Sequence, residues 1–133
     1  MIIDSSALIA ILNNEPEAQV FSQAVEEAEY VRLSACTLVE ASIAVDRFRN
    51  PKLGARLEEI IETASMMIEP VTESQARIAR QAYRDYGKGS GHPAKLNFGD
   101  CFSYALAREK REPLLFKGDD FGHTDLRSAL TET

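Results

Sequence analysis

Apolar and polar residues alternate along this chain in short blocks of two kinds. Met1-Ile2-Ile3 is a brief apolar run closed by Asp4, which reads as a buried strand. Ser5 is suited to cap a helix, and Ala7, Leu8, Ile11 and Leu12 then recur at helical spacing until Asn13-Asn14 breaks the pattern. Pro16 suits the first turn of a second helix. That helix places Val20, Phe21, Ala24, Val25 and Ala28 on one face and Glu17, Glu26, Glu27 and Glu29 elsewhere. Tyr30 to Leu33 is a second strand. Thr37 opens a third helix with Leu38, Ala41, Val45 and Phe48 inward, ended by Asn50-Pro51. A fourth helix carries Leu53, Leu57, Ile60, Ile61 and Ala64 inward, and Met66 to Ile68 is a third strand. Thr72 and Gln75 have capping-box spacing for a fifth helix, with Ala76, Ala79, Ala82, Tyr83 and Tyr86 inward. Gly87 to Asn97 reads as a loop. A sixth helix carries Cys101, Phe102, Ala105 and Leu106, and Pro113 to Phe116 is a fourth strand, ended by Gly118.

Strands separated by helical crossovers predict a parallel sheet with helices on both faces, a three-layer α/β/α sandwich. The chain of 133 residues suits a single domain spanning residues 1–133. There is no internal repeat or linker, and Thr131 to Thr133 are expected to fray.

In such a sheet functional groups gather beyond the carboxyl ends of the strands. Asp4 ends the first strand, and Asp119 and Asp120 follow the fourth. Glu40 lies near the start of the helix after the second strand, and Asp100 at the start of the sixth helix. Four segments thus deliver acids to one edge, with Lys117 the one basic residue placed among them. Crowded carboxylates raise one another's pKa, and a cation relieves them. Oxygen-only ligands select Mg²⁺, with Mn²⁺ as substitute, over Zn²⁺. Each acid also has a plainer reading. Asp4 suits a cap, Glu40 stands three residues after Thr37 as in a capping box, Asp100 suits a helix N-terminus, and Gly118-Asp119-Asp120 suits a turn. Ser6, two residues after Asp4, is placed to hold a ligand carboxylate or a water.

Charge adds one refinement. There are 15 Lys and Arg against 21 Asp and Glu, a net −6, which argues against nucleic-acid binding by bulk charge alone. Residues 77–95 reverse the balance with Arg77, Arg80, Arg84, Lys88 and Lys95 against Asp85, whereas residues 1–30 hold six acids and no base. A polyanion can therefore approach from one side, unless the stretch is only a solvated face. Cys36 and Cys101 have no metal or redox spacing and read as core thiols. The longest apolar run is the six residues Ala7 to Leu12, against roughly 20 for a membrane span. No basic n-region precedes Arg32, so a cytoplasmic location is expected.

Four segments carry a family likeness: MIIDSSALIAIL, TLVEASI with Glu40, YGKGSGHPAKLNFGDCFSYALA with Asp100, and PLLFKGDDFGHTDL. In this order they resemble the PIN-domain ribonucleases, most of all the VapC-type toxins of bacterial toxin–antitoxin pairs, from Met1 to about Leu126. The resemblance implies a Mg²⁺- or Mn²⁺-dependent endoribonuclease acting on RNA, a VapB-like antitoxin partner and a homodimer. It carries three family acids onto Asp4, Glu40 and Asp100. The fourth falls on Asp120, before Phe121, with Asp119 as the substitute. Gly118 stands where many members carry an acid. In these terms Asp4 and Asp100 ligate the metal, Glu40 completes the shell or orients water, and Asp120 holds a second metal or a water.

Two rival readings start from the same residues. A haloacid-dehalogenase-like phosphatase wants a second acid two residues after the first, where Ser6 stands. A receiver-like signalling module wants an Asp after the third strand, where Glu69-Pro70 stands.

Overall fold

The computed structural model describes residues 1–130. Thr131 to Thr133, where fraying is expected, lie outside the described residues. Four strands, β1 (Ile2–Ile3), β2 (Arg32–Ser34), β3 (Met67–Glu69) and β4 (Leu114–Leu115), form one sheet in the order β3-β2-β1-β4. All neighbouring pairs are parallel. The helices are α1 (Ser5–Leu12), α2 (Ala18–Glu27), α3 (Ala35–Asp46), α4 (Pro51–Thr63), α5 (Glu73–Tyr86) and α6 (Phe98–Lys110), followed by a 3₁₀ turn at Phe121–His123.

The strand side chains alternate between two cores, as period two requires. Ile3, Leu33 and Leu115 pack with Leu8, Phe21, Val45 and Leu57 on one face. Ile2 and Leu114 pack with Ala79, Leu96, Ala105 and Leu106 on the other. Register agrees, with Ile2 opposite Leu114 and Ile3 opposite Leu115. A parallel sheet needs both faces covered, and the α/β/α sandwich expected from the sequence is what forms.

Element boundaries differ from expectation where polar side chains claim the helix starts. Asp4, not Ser5, caps α1 by accepting from the Ser6 N–H at 3.1 Å. Ser34 caps α3 by accepting from Cys36 N–H, so this helix starts two residues before Thr37. Asn50 caps α4, with Pro51 in its first turn, rather than ending α3. Thr72 caps α5 as expected, but the Gln75 amide turns away to donate to Glu109 at 3.0 Å. Four residues expected inward are exposed, the small Ala76 and three large side chains. Val20 stands about 100° around the helix from the buried Phe21. Phe48 falls beyond the end of α3. Tyr83 uses its hydroxyl to donate to the Lys88 carbonyl at 3.1 Å, fixing the following loop.

The Gln75–Glu109 bond joins the first turn of α5 to the last turn of α6, so these helices run antiparallel. The C-terminal half of α5 is thereby carried to the end of the sandwich where α6 begins. Arg80 and Tyr83 there line a cleft with Phe98 and Phe102. Among the described residues no helix is long and apolar enough to cross a membrane.

Candidate active site

Successive strands lie to one side of β1, and β4 lies to the other, so the chain reverses direction across the sheet at β1. The carboxyl edge of such a switch point is where an open α/β sheet presents a crevice. Asp4 occupies it, its backbone N–H donating to Leu115 O at 3.0 Å. Its side chain is almost wholly buried, at 1% exposure. A carboxylate so placed must have its lone pairs satisfied. Oδ2 accepts from Ser6 N–H at 3.1 Å and Ser6 Oγ at 2.7 Å, and Oδ1 accepts from Ser103 Oγ at 2.6 Å. Ser6 in turn accepts from Lys117 N–H at 3.0 Å, tying the β4 exit to the β1 exit. Asp4 is thus the cap of α1 as well as the carboxylate at this crevice, and Ser6 holds a carboxylate as its position suggested.

Glu40 is not a cap. With α3 starting at Ala35, Thr37 lies inside the helix and Glu40 in its second turn. Its Oε1 accepts from Ser5 Oγ at 2.7 Å. A Cβ on Gly99 would lie 1.7 Å from Glu40 Oε2, so Glu40 rests against the bare backbone at the start of α6. Asp100, one residue on, accepts from Asn97 N–H at 3.0 Å while Asn97 Oδ1 accepts from Asp100 N–H at 2.9 Å, a complete capping box. The helix-terminus reading of Asp100 therefore holds.

Electrostatics tie the group together. Burial pushes the Asp100 carboxyl up to about 7; the Asn97 hydrogen bond opposes this, and the charges of Asp4, Glu40 and Asp120 add to it. Glu40 is also raised, by burial first, against its bond from Ser5 and with the help of Asp4. Asp120 is thus near enough for its charge to act on Asp100, the weakest of these influences. The Asp119 carbonyl accepts from Gly122 N–H in the closing turn. Lys117 does not answer the acids: its ammonium is held by Glu15 and, at 3.4 Å, by Glu17. Among the described residues no salt bridge reaches Asp4, Glu40, Asp100 or Asp120.

These donors suit a hard cation, though not as a finished cage. Among the described residues no three His, Cys, Asp or Glu groups already converge on one ion position. Yet among the described residues no buried side-chain oxygen is left without a partner, so Asp100 Oδ1 and Glu40 Oε2, which accept no hydrogen bond there, are open to solvent and to a ligand. All-oxygen donors, excess negative charge and open positions fit Mg²⁺ or Mn²⁺, ions that keep several waters.

Sequence reasoning missed Ser5, Thr37, Ser103 and Gly99. The available signals were a serine inside the apolar run of α6 and a glycine in its first turn. In the basic stretch, Arg77 pairs with Glu73 at 3.2 Å on the outer surface, which is the solvated-face reading, while Arg80 lines the cleft beside Phe98. Cys101 is buried and its thiol is pushed up to about 11, chiefly by burial, whereas Cys36 is only partly buried.

Residues 1–126 match the PIN domain family. The chain is 55% identical over 130 residues to Ribonuclease VapC28 of Mycobacterium tuberculosis, covering 98% of each. Among solved structures, VapC20 of the same organism, a Sarcin-Ricin loop cleaving toxin, superposes with a TM-score of 0.74 at 19% identity, over 94% of this chain and 95% of that one. A toxin-antitoxin complex from Klebsiella pneumoniae gives 0.67 at 20% identity, over 90% of this chain and 88% of that one.

Proposed function

This chain belongs to the PIN-domain family, and we propose that its acid end is the active site of a VapC-type endoribonuclease that requires Mg²⁺, with Mn²⁺ as substitute. The kinship with VapC ribonucleases spans nearly the whole chain. The observation that carries the reading is the set of Asp4, Glu40, Asp100 and Asp120, whose charges act on one another and which, among the described residues, form no salt bridge. The phosphatase and receiver readings explain neither the position of Glu40 nor the match to this family.

Asp4 and Asp100 would hold the ion. Bound there, it supplies charge to the phosphate and acidifies a water. Glu40, held by Ser5, completes the shell or orients the attacking water through its open Oε2. Asp120 would hold a second ion or a water. Arg80 and Arg84 bind RNA phosphates on the flank that α5 brings to this end. The partner is a VapB-like antitoxin that blocks the acid end in the cytoplasm. Val39 and Ile43, one turn apart on α3 and both exposed, support a homodimer.

The test is cleavage of end-labelled RNA by the purified chain with Mg²⁺, Mn²⁺ or EDTA. Cutting only with a divalent ion is expected. Equal cutting in EDTA removes the metal, and no cutting under any condition removes the ribonuclease. Glu40→Gln should keep its melting temperature, because no cap is lost, while cleavage falls by about a hundredfold, a neutral amide being a poor ligand for a hard cation. A Gln variant with full activity would place Glu40 outside the reaction. For the flank, Arg80→Ala or Arg84→Ala should each weaken RNA binding and shallow its salt dependence by up to about one unit of slope. Arg77→Ala should change neither, since Arg77 is already paired.

A further inference from the structure

Behind the acids lies a short chain of hydroxyls. Thr37 on α3 and Ser103 on α6 are both buried, at 1% and 0% exposure. Ser103 Oγ is 2.6 Å from Asp4 Oδ1 and 3.1 Å from Thr37 Oγ1. A carboxylate only accepts, so the single Ser103 proton goes to Asp4. Ser103 then has lone pairs alone to offer, and Thr37 is the donor in the second bond. The direction is fixed: Thr37 to Ser103 to Asp4.

Both hydroxyls are buried, and Ser103 lies within a run of α6 whose Cys101, Tyr104, Ala105 and Leu106 are buried as well. A buried hydroxyl is worth having only where its hydrogen bond matters. Ser6 binds Oδ2 alone, and a carboxylate held by one oxygen can still turn about Cβ–Cγ, where the torsional preference is broad. Ser103 binds the other oxygen and removes that freedom. Thr37 in turn fixes the rotor of Ser103.

We propose that Ser103 and Thr37 are positioning residues that act in series to lock the rotation of the Asp4 carboxylate. Their effect on cleavage rests on the metal-ribonuclease reading above; the locking itself does not.

The experiment compares four variants of the full chain: Ser103→Ala, Thr37→Val, Thr37→Ser and the double Ser103→Ala/Thr37→Val. Thr37→Val keeps shape, so the fold is preserved, and Thr37→Ser restores the hydroxyl. With Mg²⁺ saturating, Ser103→Ala should lower kcat by about tenfold to a hundredfold with KM within about twofold. Thr37→Val should lose about threefold to tenfold, Thr37→Ser should recover it, and the double variant should be no worse than Ser103→Ala. In the metal-free crystal structure of Ser103→Ala, the Asp4 carboxylate should be rotated or doubly oriented. Parent-like kcat in Ser103→Ala, or a full additional loss from Thr37→Val in that background, overturns the series. If the parent itself does not cleave RNA, the functional reading fails, and the crystal structure decides: a rotated Asp4 upholds the lock, and an unmoved one ends it.

Discussion

Asp100→Asn is expected to cut RNA cleavage by about a thousandfold or more and yet to make the metal-free protein more stable at about pH 8. The two effects have one cause. In the unfolded chain Asp100 ionises near about 4; in the fold, burial and the charges of Asp4, Glu40 and Asp120 carry it to about 7. Between those values the folded state keeps a proton that the unfolded state has released. Stability therefore falls as pH rises across that window and is level above it. Asn removes the charge and still accepts from the Asn97 N–H, so the capping box survives. A shift of this size corresponds to about 4 kcal/mol at most, and solvent screening of the partly exposed carboxyl reduces it to about 2 kcal/mol. That is a rise of about 7 °C in Tm at about pH 8. At about pH 5, only about one unit into that window, about a third of the difference should remain, and below about pH 4 it should vanish. Added Mg²⁺ should stabilise the parent at high pH and leave the variant unmoved. Thermal melts at the two pH values, with and without Mg²⁺, check this beside the cleavage rate. A variant that melts lower than its parent at both pH values would mean that the carboxylate supports the fold rather than straining it.

The layers of this fold were legible because strand and helix periods differ. Ile2 and Ile3 face opposite cores, and the inward positions of α1 and α6 follow the helical repeat. The acids were legible because a parallel sheet brings strand exits to one edge. Other features depend on contacts that no local window contains. Ser103 meets a carboxylate 99 residues away, so its hydroxyl looks in the sequence like an interruption of an apolar helix. The spacing of Thr37 and Glu40 imitates a capping box, and only the earlier cap at Ser34 shows that it is not one. Unlike α1, α3 and α6, helix α5 does not start at the acid edge, since its first turn sits beside the last turn of α6. That reversal is what carries Arg80 toward the site and leaves Arg77 on the outer surface.

Gly99→Ala should separate activity from stability in the opposite sense. Alanine is the better helix former by about 1 kcal/mol, so a glycine inside the first turn of α6 calls for a reason. The reason is contact, since the added Cβ would fall 1.7 Å from Glu40 Oε2 and 2.5 Å from its carboxyl carbon. Those atoms are the end of a flexible side chain, so Glu40 moves and the backbone stays. Moving it breaks the bond from Ser5 Oγ, a loss of about 1 kcal/mol that offsets the helical gain. Tm should therefore change by no more than about 3 °C. Cleavage should fall by about tenfold to a hundredfold, because a displacement of about 1 Å in a working group is enough for that. In a Glu40→Ala background the three atoms that crowd the added Cβ are gone. There it should raise Tm and cost no further activity. Melts and cleavage rates of the two single variants and the double variant complete the cycle. Full activity in Gly99→Ala would show that the Glu40 carboxylate is not needed where it rests. Loss of Tm by about 10 °C or more would show that the backbone of α6, rather than Glu40, gives way.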